Sequence, residues 1–383
     1  MTTELQYNQH YKDWLTEIKE RIQRARLKAA LAANAELIAF YWEMGKDISE
    51  KINRASWGAK VIDQLATDLK SEFPDMSGLS RPNLYSMKRF YEFYAIDGNQ
   101  FKIVSQLVRQ LETTNNQPVE IVSQPVTQFD YANEKDEQQF VKSFVGQIPW
   151  GHNRVIVSQT KSVSEALFYI SKTIENGWSR AILEHQIGSN LYNRQGKATT
   201  NFEQTLPAIS SGLAAQILKD PYNFDFLAMT ESYKERELES ALIDNVSKFL
   251  LELGTGFAYV GRQVPMQVSD KEYFIDLLFY HLKLRCYVVI ELKATEFIPE
   301  FAGKLSFYLS AANDILRHPT DNPTIGLMIC KNKNSIIAEY ALKNINQPIG
   351  VSEYQLTKLF PEEFRSSLPT IEEIEEELKK TDE

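Results

Sequence analysis

The chain contains 383 residues, of which 43% are hydrophobic and 11% aromatic, enough for two or three domains with cores of their own. No apolar run reaches the roughly 18 residues of a transmembrane helix, and the first ten residues lack the basic and then apolar pattern of a signal peptide. The two cysteines, Cys286 and Cys330, fall in predicted strands and suit small core positions better than a disulfide framework. We therefore expect a cytoplasmic protein with no membrane partner.

The formal net charge of −9 is concentrated near the end of the chain. Residues 361–383 carry nine acidic and three basic side chains, a net charge of −6, so the rest of the chain carries only −3. The overall acidity is thus weak evidence against a nucleic-acid partner. We predict that residues 361–383 form an acidic C-terminal tail in an exposed helix.

Residues 1–96 are predicted to be a helical, DNA-binding region. Apolar positions at helical spacing predict one helix from about Tyr11 to Ile52 and a second over residues 59–73. Ser80 is expected to cap a third helix, R-P-N-L-Y-S-M-K-R-F-Y-E-F-Y, which has Pro82 in its first turn.

The third helix has an apolar side and a basic, aromatic side. Its apolar positions are expected to face a core: Leu84, Met87, Tyr91 and Tyr94. Its outward positions are candidate nucleic-acid contacts: Arg81, Tyr85, Lys88 and Arg89. Because the turn before it is longer than that of a strict helix-turn-helix motif, we predict a winged or helix-turn-helix-like unit. A solvated helix face explains the pattern equally well.

The middle of the chain carries weaker signals. Residues 97–136 are polar and contain Pro118 and Pro125, which predicts a linker or insertion. Residues 137–224 are assigned to the remainder of the N-terminal helical domain. Within them, the basic run R-Q-G-K offers Arg194 and Lys197 as candidate phosphate contacts, although a solvated loop is the simpler explanation.

Residues 225–360 change to a mixed α/β pattern in the order αβββαβ, with one further helix. The predicted helices cover about residues 235–253, 301–317 and 335–344. The predicted strands cover about residues 257–268, 273–281, 285–294 and 324–330. The fold class is thus α+β or mixed: a helical N-terminal region followed by an αβββαβ domain.

Three charged residues interrupt the apolar strands of this domain. Pairing two strands as a hairpin about Lys283 and Leu284 places Asp276 opposite Glu291. Lys293 points to the same side as Glu291, because side chains alternate with period two. Isolated buried charges are costly, so a bound divalent cation is one form of compensation for this cluster. The alternative is a buried Glu–Lys ion pair within the sheet.

An acid in one strand followed by E-L-K in the next resembles the PD-(D/E)XK nuclease superfamily, which has the restriction-endonuclease-like fold. The chain is similar to its YhcG-like family over nearly all residues outside 97–136. The stretches that carry this resemblance include G-L-S-R-P-N-L-Y-S-M-K-R-F-Y, I-P-W-G-H-N, R-Q-G-K-A-T-T-N-F, Y-F-I-D-L-L-F-Y-H and V-I-E-L-K.

The resemblance implies a role for each charged residue. Asp276 and Glu291 would bind Mg²⁺, or Mn²⁺, together with the backbone carbonyl of Leu292, and Lys293 would orient water or offset charge on the phosphate. Ile275 stands where the superfamily motif has proline, a departure that removes no metal ligand. Glu239, on the apolar stripe of the helix over residues 235–253, is the fourth candidate. Its alternative is a first-turn acid favoured by the helix dipole.

Weaker candidates accompany this set. Lys304 and Tyr308 lie one helical turn apart and are expected to help position DNA, although Lys304 departs from the glutamine that some relatives carry. Gln263 could support the metal site from the neighbouring strand, but an ordinary polar strand residue explains it better.

The leading hypothesis is a metal-dependent endonuclease that hydrolyses phosphodiester bonds in duplex or branched DNA, in repair, recombination or defence against foreign DNA. The alternatives are a catalytically silent DNA-binding or assembly module and an RNA-directed nuclease. Double-strand cleavage by one active site per chain favours a homodimer.

Overall fold

The computed structural model describes residues 9–54, 60–95, 141, 144–230, 232–356 and 359–360. The predicted linker 97–136 and the acidic tail 361–383 lie outside the described residues. The chain divides into two compact units, unit 1 over residues 1–188 and unit 2 over residues 189–383. Within the described ranges, no helix is both long and apolar enough to cross a membrane.

Unit 1 is helical, as predicted. Its helices are α1 (Gln9–Arg54), α2 (Lys60–Glu72), α3 (Arg81–Tyr94), α4 (Trp150–Gln159), α5 (Val163–Asn176) and α6 (Arg180–Gly188). Ser80 occupies the N-cap of α3 with an extended backbone, but its hydroxyl makes no capping hydrogen bond, contrary to the expected cap. The described part of unit 1 contains no strand, so the wing of a winged variant is not among these residues.

Helices α1 and α3 cross at close range. An added Cβ at Gly45 would collide with the backbone carbonyl of Met87, so only glycine allows this approach. Around the crossing, the ring of Trp42 lies 5.5 Å from that of Phe90 and 6.3 Å from that of Tyr94, and all three rings are buried. This aromatic packing gives unit 1 its core.

Unit 2 is a mixed α/β structure. Its helices are α7 (Leu191–Arg194), α8 (Phe202–Thr205), α9 (Ala208–Ile217), α10 (Glu235–Asp244), α11 (Val246–Leu253), α12 (Pro299–Ile315) and α13 (Ser335–Leu342). Its strands are β1 (Thr199–Thr200), β2 (Tyr222–Asn223), β3 (Met229–Thr230), β4 (Phe257–Val268), β5 (Lys271–His281), β6 (Cys286–Glu296), β7 (Ile325–Asn332), β8 (Ile349–Gln355) and β9 (Leu359–Phe360).

The main sheet has the strand order β1-β8-β7-β6-β5-β4, with β2 added to β8. Strands β4, β5 and β6 are antiparallel to their neighbours in this group, whereas β6, β7 and β8 run parallel. Strands β3 and β9 form a separate parallel pair. The predicted αβββαβ order is present, and the structure adds β8 after the last predicted helix.

Apolar side chains cover both faces of the sheet. One face packs against α10 and α11 through residues that include Leu238, Leu242, Phe249, Leu277 and Ile290. The opposite face packs under α12 and α13 through residues that include Leu278, Val289, Leu305, Leu309 and Ala338. Each fully buried side chain of this kind contributes about 1.5–3 kcal/mol, so the sheet between the two helical layers is a rigid support.

Two boundaries differ from the prediction. The units divide between Gly188 and Ser189, not at residue 224, because residues 189–224 supply β1, β2 and buried side chains such as Phe202 to the sheet of unit 2. The helix predicted over residues 235–253 is two helices, since Asn245 has φ −111° and ψ 32° and interrupts the helical path.

Candidate active site

The hairpin register predicted from the sequence is confirmed. Leu277 pairs with Ile290 and His281 with Cys286, and this register makes Asp276 and Glu291 the next facing pair. The β5–β6 ladder stops at Leu277, after which β5 pairs only with β4 and β6 only with β7. The two acidic side chains therefore lie where β5 and β6 separate.

Asp276 is half-buried at this point. Its Oδ2 accepts a hydrogen bond from the Leu292 backbone N–H at 3.2 Å, and its Oδ1 lies 3.4 Å from Nε2 of Gln263. Burial, followed by the negative charge of Glu291, raises the pKa of Asp276 to about 7. The side chain is held at two oxygens in a place that disfavours its negative charge.

Glu291 is fully buried, and its two oxygens have different surroundings. Oε1 accepts from Nζ of Lys304 at 2.6 Å and from Nζ of Lys293 at 3.1 Å. Oε2 is buried and has no hydrogen-bond partner among the described residues. A buried carboxylate oxygen without a partner is costly, and its presence points to a ligand that is absent from the protein alone.

Lys293 connects the sheet to α10. Its Nζ lies 3.0 Å from Glu235 Oε2 and donates to the Leu292 carbonyl oxygen at 3.0 Å, besides its contact with Glu291. Burial by itself would lower the pKa of Lys293, but the attraction of Glu291 and the hydrogen bond to Glu235 outweigh it and raise the pKa. These contacts favour the charged form of Lys293.

Glu239 reaches the edge of the site through Gln263. Glu239 is 6% exposed, and its Oε2 accepts from Gln263 Nε2 at 2.7 Å. Gln263, with a positive φ of 45°, thus bridges Glu239 and Asp276. Burial raises the pKa of Glu239 above its ordinary value, against the hydrogen bond from Gln263. The inward orientation predicted for Glu239 is present, and Gln263, expected to be an ordinary polar strand residue, hydrogen-bonds both carboxylates.

Lys304 belongs to the site itself. Its side chain, 47% exposed, contacts Glu291 and lies 5.1 Å from the ring centre of Tyr308. Burial alone would lower the pKa of Lys304, but the hydrogen bond and charge of Glu291 raise it. Tyr308 is only 5% exposed, so its predicted contact with DNA is replaced by packing against Lys304 and the core beneath α12.

Arg194 is not available to phosphates. It is 5% exposed, and its Nη1 lies 2.6 Å from Glu252 Oε1 inside unit 2. The same guanidinium donates to backbone carbonyls of Ser189 and Pro221. The run R-Q-G-K therefore anchors unit 2 through Arg194, which corrects the prediction, whereas Lys197 is exposed.

Two of the four predicted nucleic-acid contacts on the outward face of α3 are engaged in ion pairs. Arg81 pairs with Asp63, and Lys88 lies 2.7 Å from Glu92. The Arg81 guanidinium also lies 5.6 Å from the ring centre of Tyr85. Arg89 is exposed and is oriented into a cleft of unit 1.

The residues present fit a divalent metal ion. Asp276 and Glu291 face each other here, Glu239 is linked to Asp276 through Gln263, and Glu235 is linked to Glu291 through Lys293. In the described ranges no three His, Cys, Asp or Glu side chains gather closely enough to form a metal centre by themselves. Magnesium commonly takes one or two carboxylates and completes its shell with water and phosphate oxygens, which matches two carboxylates and the Leu292 carbonyl.

The sequence pattern did not identify two members of this cluster. Glu235 is not among the predicted site residues, and Lys304 was predicted to position DNA and not to contact Glu291. Glu235 lies four residues before Glu239 and therefore on the same side of α10. This spacing could have identified Glu235 as a site residue from the sequence.

The chain matches two family models. Residues 215–369 match the model described as the YhcG PDDEXK nuclease domain. Residues 17–140 and 124–194 match the DUF1016 N-terminal domain. The chain is also 32% identical over 345 residues to an Escherichia coli (strain K12) protein named "Putative nuclease YhcG", with 88% of this chain and 87% of that protein covered.

Two solved structures resemble part of the chain. A repair endonuclease from Pyrococcus abyssi matches with a TM-score of 0.23 and 15% sequence identity. The match covers 34% of this chain and 50% of the endonuclease chain. An EndoMS–dsDNA complex matches with a TM-score of 0.24 and 17% sequence identity. The match covers 35% of this chain and 48% of the EndoMS chain. The chain thus spans about half the length of these structures, and scores this low carry no weight for its substrate. The family models and the sequence identity decide the assignment: the chain belongs to the YhcG family, and its C-terminal unit carries a PDDEXK nuclease domain.

Proposed function

We propose that the chain is a metal-dependent endonuclease that hydrolyses phosphodiester bonds in DNA, in repair, recombination or defence against foreign DNA. The observation that carries this proposal is the asymmetry of Glu291, whose Oε1 is held by two lysines while its buried Oε2 has no partner among the described residues. A carboxylate oxygen prepared in this way suits a hard divalent cation.

Mg²⁺, or Mn²⁺, held by Asp276, Glu291 and the Leu292 carbonyl would polarise the scissile phosphate and lower the pKa of the attacking water.

The protein's own groups prepare the reaction. Lys293 and Lys304 fix the orientation of Glu291, and the Leu292 N–H and Gln263 fix Asp276. Lys293, whose charged form its contacts favour, offsets negative charge that develops on the phosphate. In the hydrolysis the water oxygen bonds to phosphorus, the bond to the leaving sugar oxygen breaks, and that oxygen ends protonated.

The substrate in this proposal is duplex or branched DNA, and cleavage of both strands favours a homodimer because the described residues of one chain form one such site. The test is incubation with linear, nicked, branched and single-stranded DNA and with RNA, each with and without Mg²⁺ or Mn²⁺. At least one DNA form is expected to be cut only with metal. Asp276→Ala and the isosteric Asp276→Asn should abolish cutting and leave binding largely intact.

The matched control is Asp270→Ala, which removes an exposed carboxylate from the turn between β4 and β5 and should leave cutting unchanged. Cutting that survives both Asp276 variants would overturn the site assignment. Binding without cutting on every substrate would favour the silent module, and cutting of RNA alone would favour an RNA-directed nuclease.

A further inference from the structure

Unit 1 contains a cleft of about 310 Å³ lined by three arginines from three helices. Arg89 comes from α3, Arg154 from α4 and Arg180 from α6, and all three are exposed. We call it the arginine cleft. Its residues are far apart in the sequence, so the fold of unit 1 creates the cluster.

Little in the described part of the cleft neutralises these charges. Glu184 is the one carboxylate among the lining residues, and it lies 3.6 Å from Arg180, with both side chains largely in solvent. An ion pair this exposed is weak. Arg89 makes a long hydrogen bond of 3.4 Å to the Ser158 carbonyl. The cleft therefore keeps a formal excess of two positive charges in a chain whose net charge is −9.

The other cations of unit 1 that were candidate nucleic-acid contacts are already neutralised by ion pairs. Arg81 and Lys88 are each paired with a carboxylate, Asp63 and Glu92 respectively. An incoming phosphate would have to compete with those carboxylates. In the arginine cleft it would meet guanidinium groups whose planar donor forks suit phosphate oxygens.

The walls of the cleft also suit an anion. Gly151, in the first turn of α4, has no side chain, and an added Cβ would meet only Arg180 Cδ, at 3.9 Å. Phe90 and Val157, 1% and 3% exposed, give the cleft a rigid apolar wall.

We propose that the arginine cleft binds backbone phosphates of a nucleic acid and is the surface by which unit 1 holds the substrate. The proposal rests on the nuclease function proposed above and deepens it. Contacts of this kind position the nucleic acid without reading its sequence. Inorganic phosphate and mononucleotides present the same chemistry, and the experiment separates these sources.

The experiment measures binding of a fluorescent DNA duplex to the full chain without metal, in a Glu291→Gln background that prevents cleavage. Anisotropy is recorded over a series of salt concentrations for a variant that carries Arg89→Gln, Arg154→Gln and Arg180→Gln. The slope of log K against log salt is expected to become shallower by about 0.9 for each arginine that binds a phosphate. At 0.1 M salt this corresponds to roughly eightfold weaker binding for each arginine–phosphate pair that the variant no longer forms.

The matched control removes three positive charges that are already paired: Arg81→Gln, Lys88→Gln and Lys172→Gln, the last from an ion pair of 2.8 Å with Glu175. Its salt slope should change by much less. A third variant with lysine at the three cleft positions keeps the charge and should recover most of the slope. All five tryptophans of the sequence lie in residues 1–188, so tryptophan fluorescence verifies that unit 1 is folded in each variant.

An unchanged slope in the glutamine variant, or an equal change in the control, would overturn the proposal. So would calorimetric binding of inorganic phosphate or a mononucleotide that depends on the cleft while duplex binding does not. The two proposals fail separately. Metal-dependent cutting with cleft-independent binding would leave only the nuclease function, whereas cleft-dependent binding without cutting on any substrate would leave only the arginine cleft.

Discussion

The buried charge cluster around Glu252 in unit 2 offers a test of the fold. Glu252 is 2% exposed and is surrounded by Arg194 at 5% and Lys219 at 4%. Its Oε1 accepts from Arg194 Nη1 at 2.6 Å and from the Asn223 backbone N–H at 2.9 Å. Lys219 donates to the Glu252 carbonyl oxygen and lies 3.8 Å from its Oε2. One carboxylate therefore holds two buried cations.

Glu252→Gln keeps the shape of the side chain and removes its charge. Breaking a buried pair in this way typically costs about 3–5 kcal/mol, because an uncompensated charge is left behind. Burial already lowers the pKa of Lys219 to about 8, against the attraction of Glu252. Without Glu252 this pKa falls further and Lys219 releases its proton, so we expect the low end of the range, about 3 kcal/mol.

Hydrogen exchange in increasing urea, read by mass spectrometry on peptides from residues 189–383, measures this destabilisation in unit 2. Tryptophan fluorescence follows unit 1 in the same samples, since unit 2 contains no tryptophan. Lys219→Met in the Glu252→Gln background removes one buried cation and should recover part of the stability. Glu339→Gln, an exposed acid on α13, is the control. A destabilisation below about 1 kcal/mol would refute the buried-cluster interpretation and return Arg194 to the candidate phosphate contacts.

Three further outcomes are expected. Burial lowers the pKa of His281 to about 4. Between pH 6.5 and 4 only the unfolded chain therefore takes up the proton, and the free energy of unfolding falls as the pH falls. An NMR titration of the folded protein that gives His281 a pKa near 6.5 would contradict this. Gly45→Ala should destabilise unit 1 by about 1–3 kcal/mol through its collision with Met87, measured by thermal unfolding with tryptophan fluorescence. Lys304→Gln should slow DNA cleavage by about 10- to 100-fold, because Lys304 holds Oε1 of Glu291. Lys304→Arg keeps the charge and should retain most of the rate. Equal cleavage rates in the two variants would remove Lys304 from the site.

The hairpin and its three charged residues could be predicted because the evidence for them is local. Two apolar strands around a short turn leave one symmetric register, and alternation with period two then places Glu291 and Lys293 on one side of β6. The first three helices of unit 1 were likewise predicted from the local spacing of apolar residues.

The remaining differences depend on partners distant in the sequence. An arginine in a basic loop looks the same whether it meets solvent or a buried acid, and the partner of Arg194 lies 58 residues away. Strand β8, I-G-V-S-E-Y-Q, has a weak strand pattern with one glycine, and it is held in place by pairing with β7 and with β1. Local propensity could not show these pairings.

The strand order of unit 2 has a consequence for how the molecule is made. Thr199 of β1 pairs with Val351 of β8 across about 150 residues, and β6 acquires its parallel neighbour only when β7 has been synthesised. Structures of such high contact order form slowly, because long loops must close before their contacts stabilise them. Asp276 and Glu291 are therefore synthesised well before the sheet that positions them is complete. We therefore expect the sheet around the site to be completed only after β8 has emerged from the ribosome.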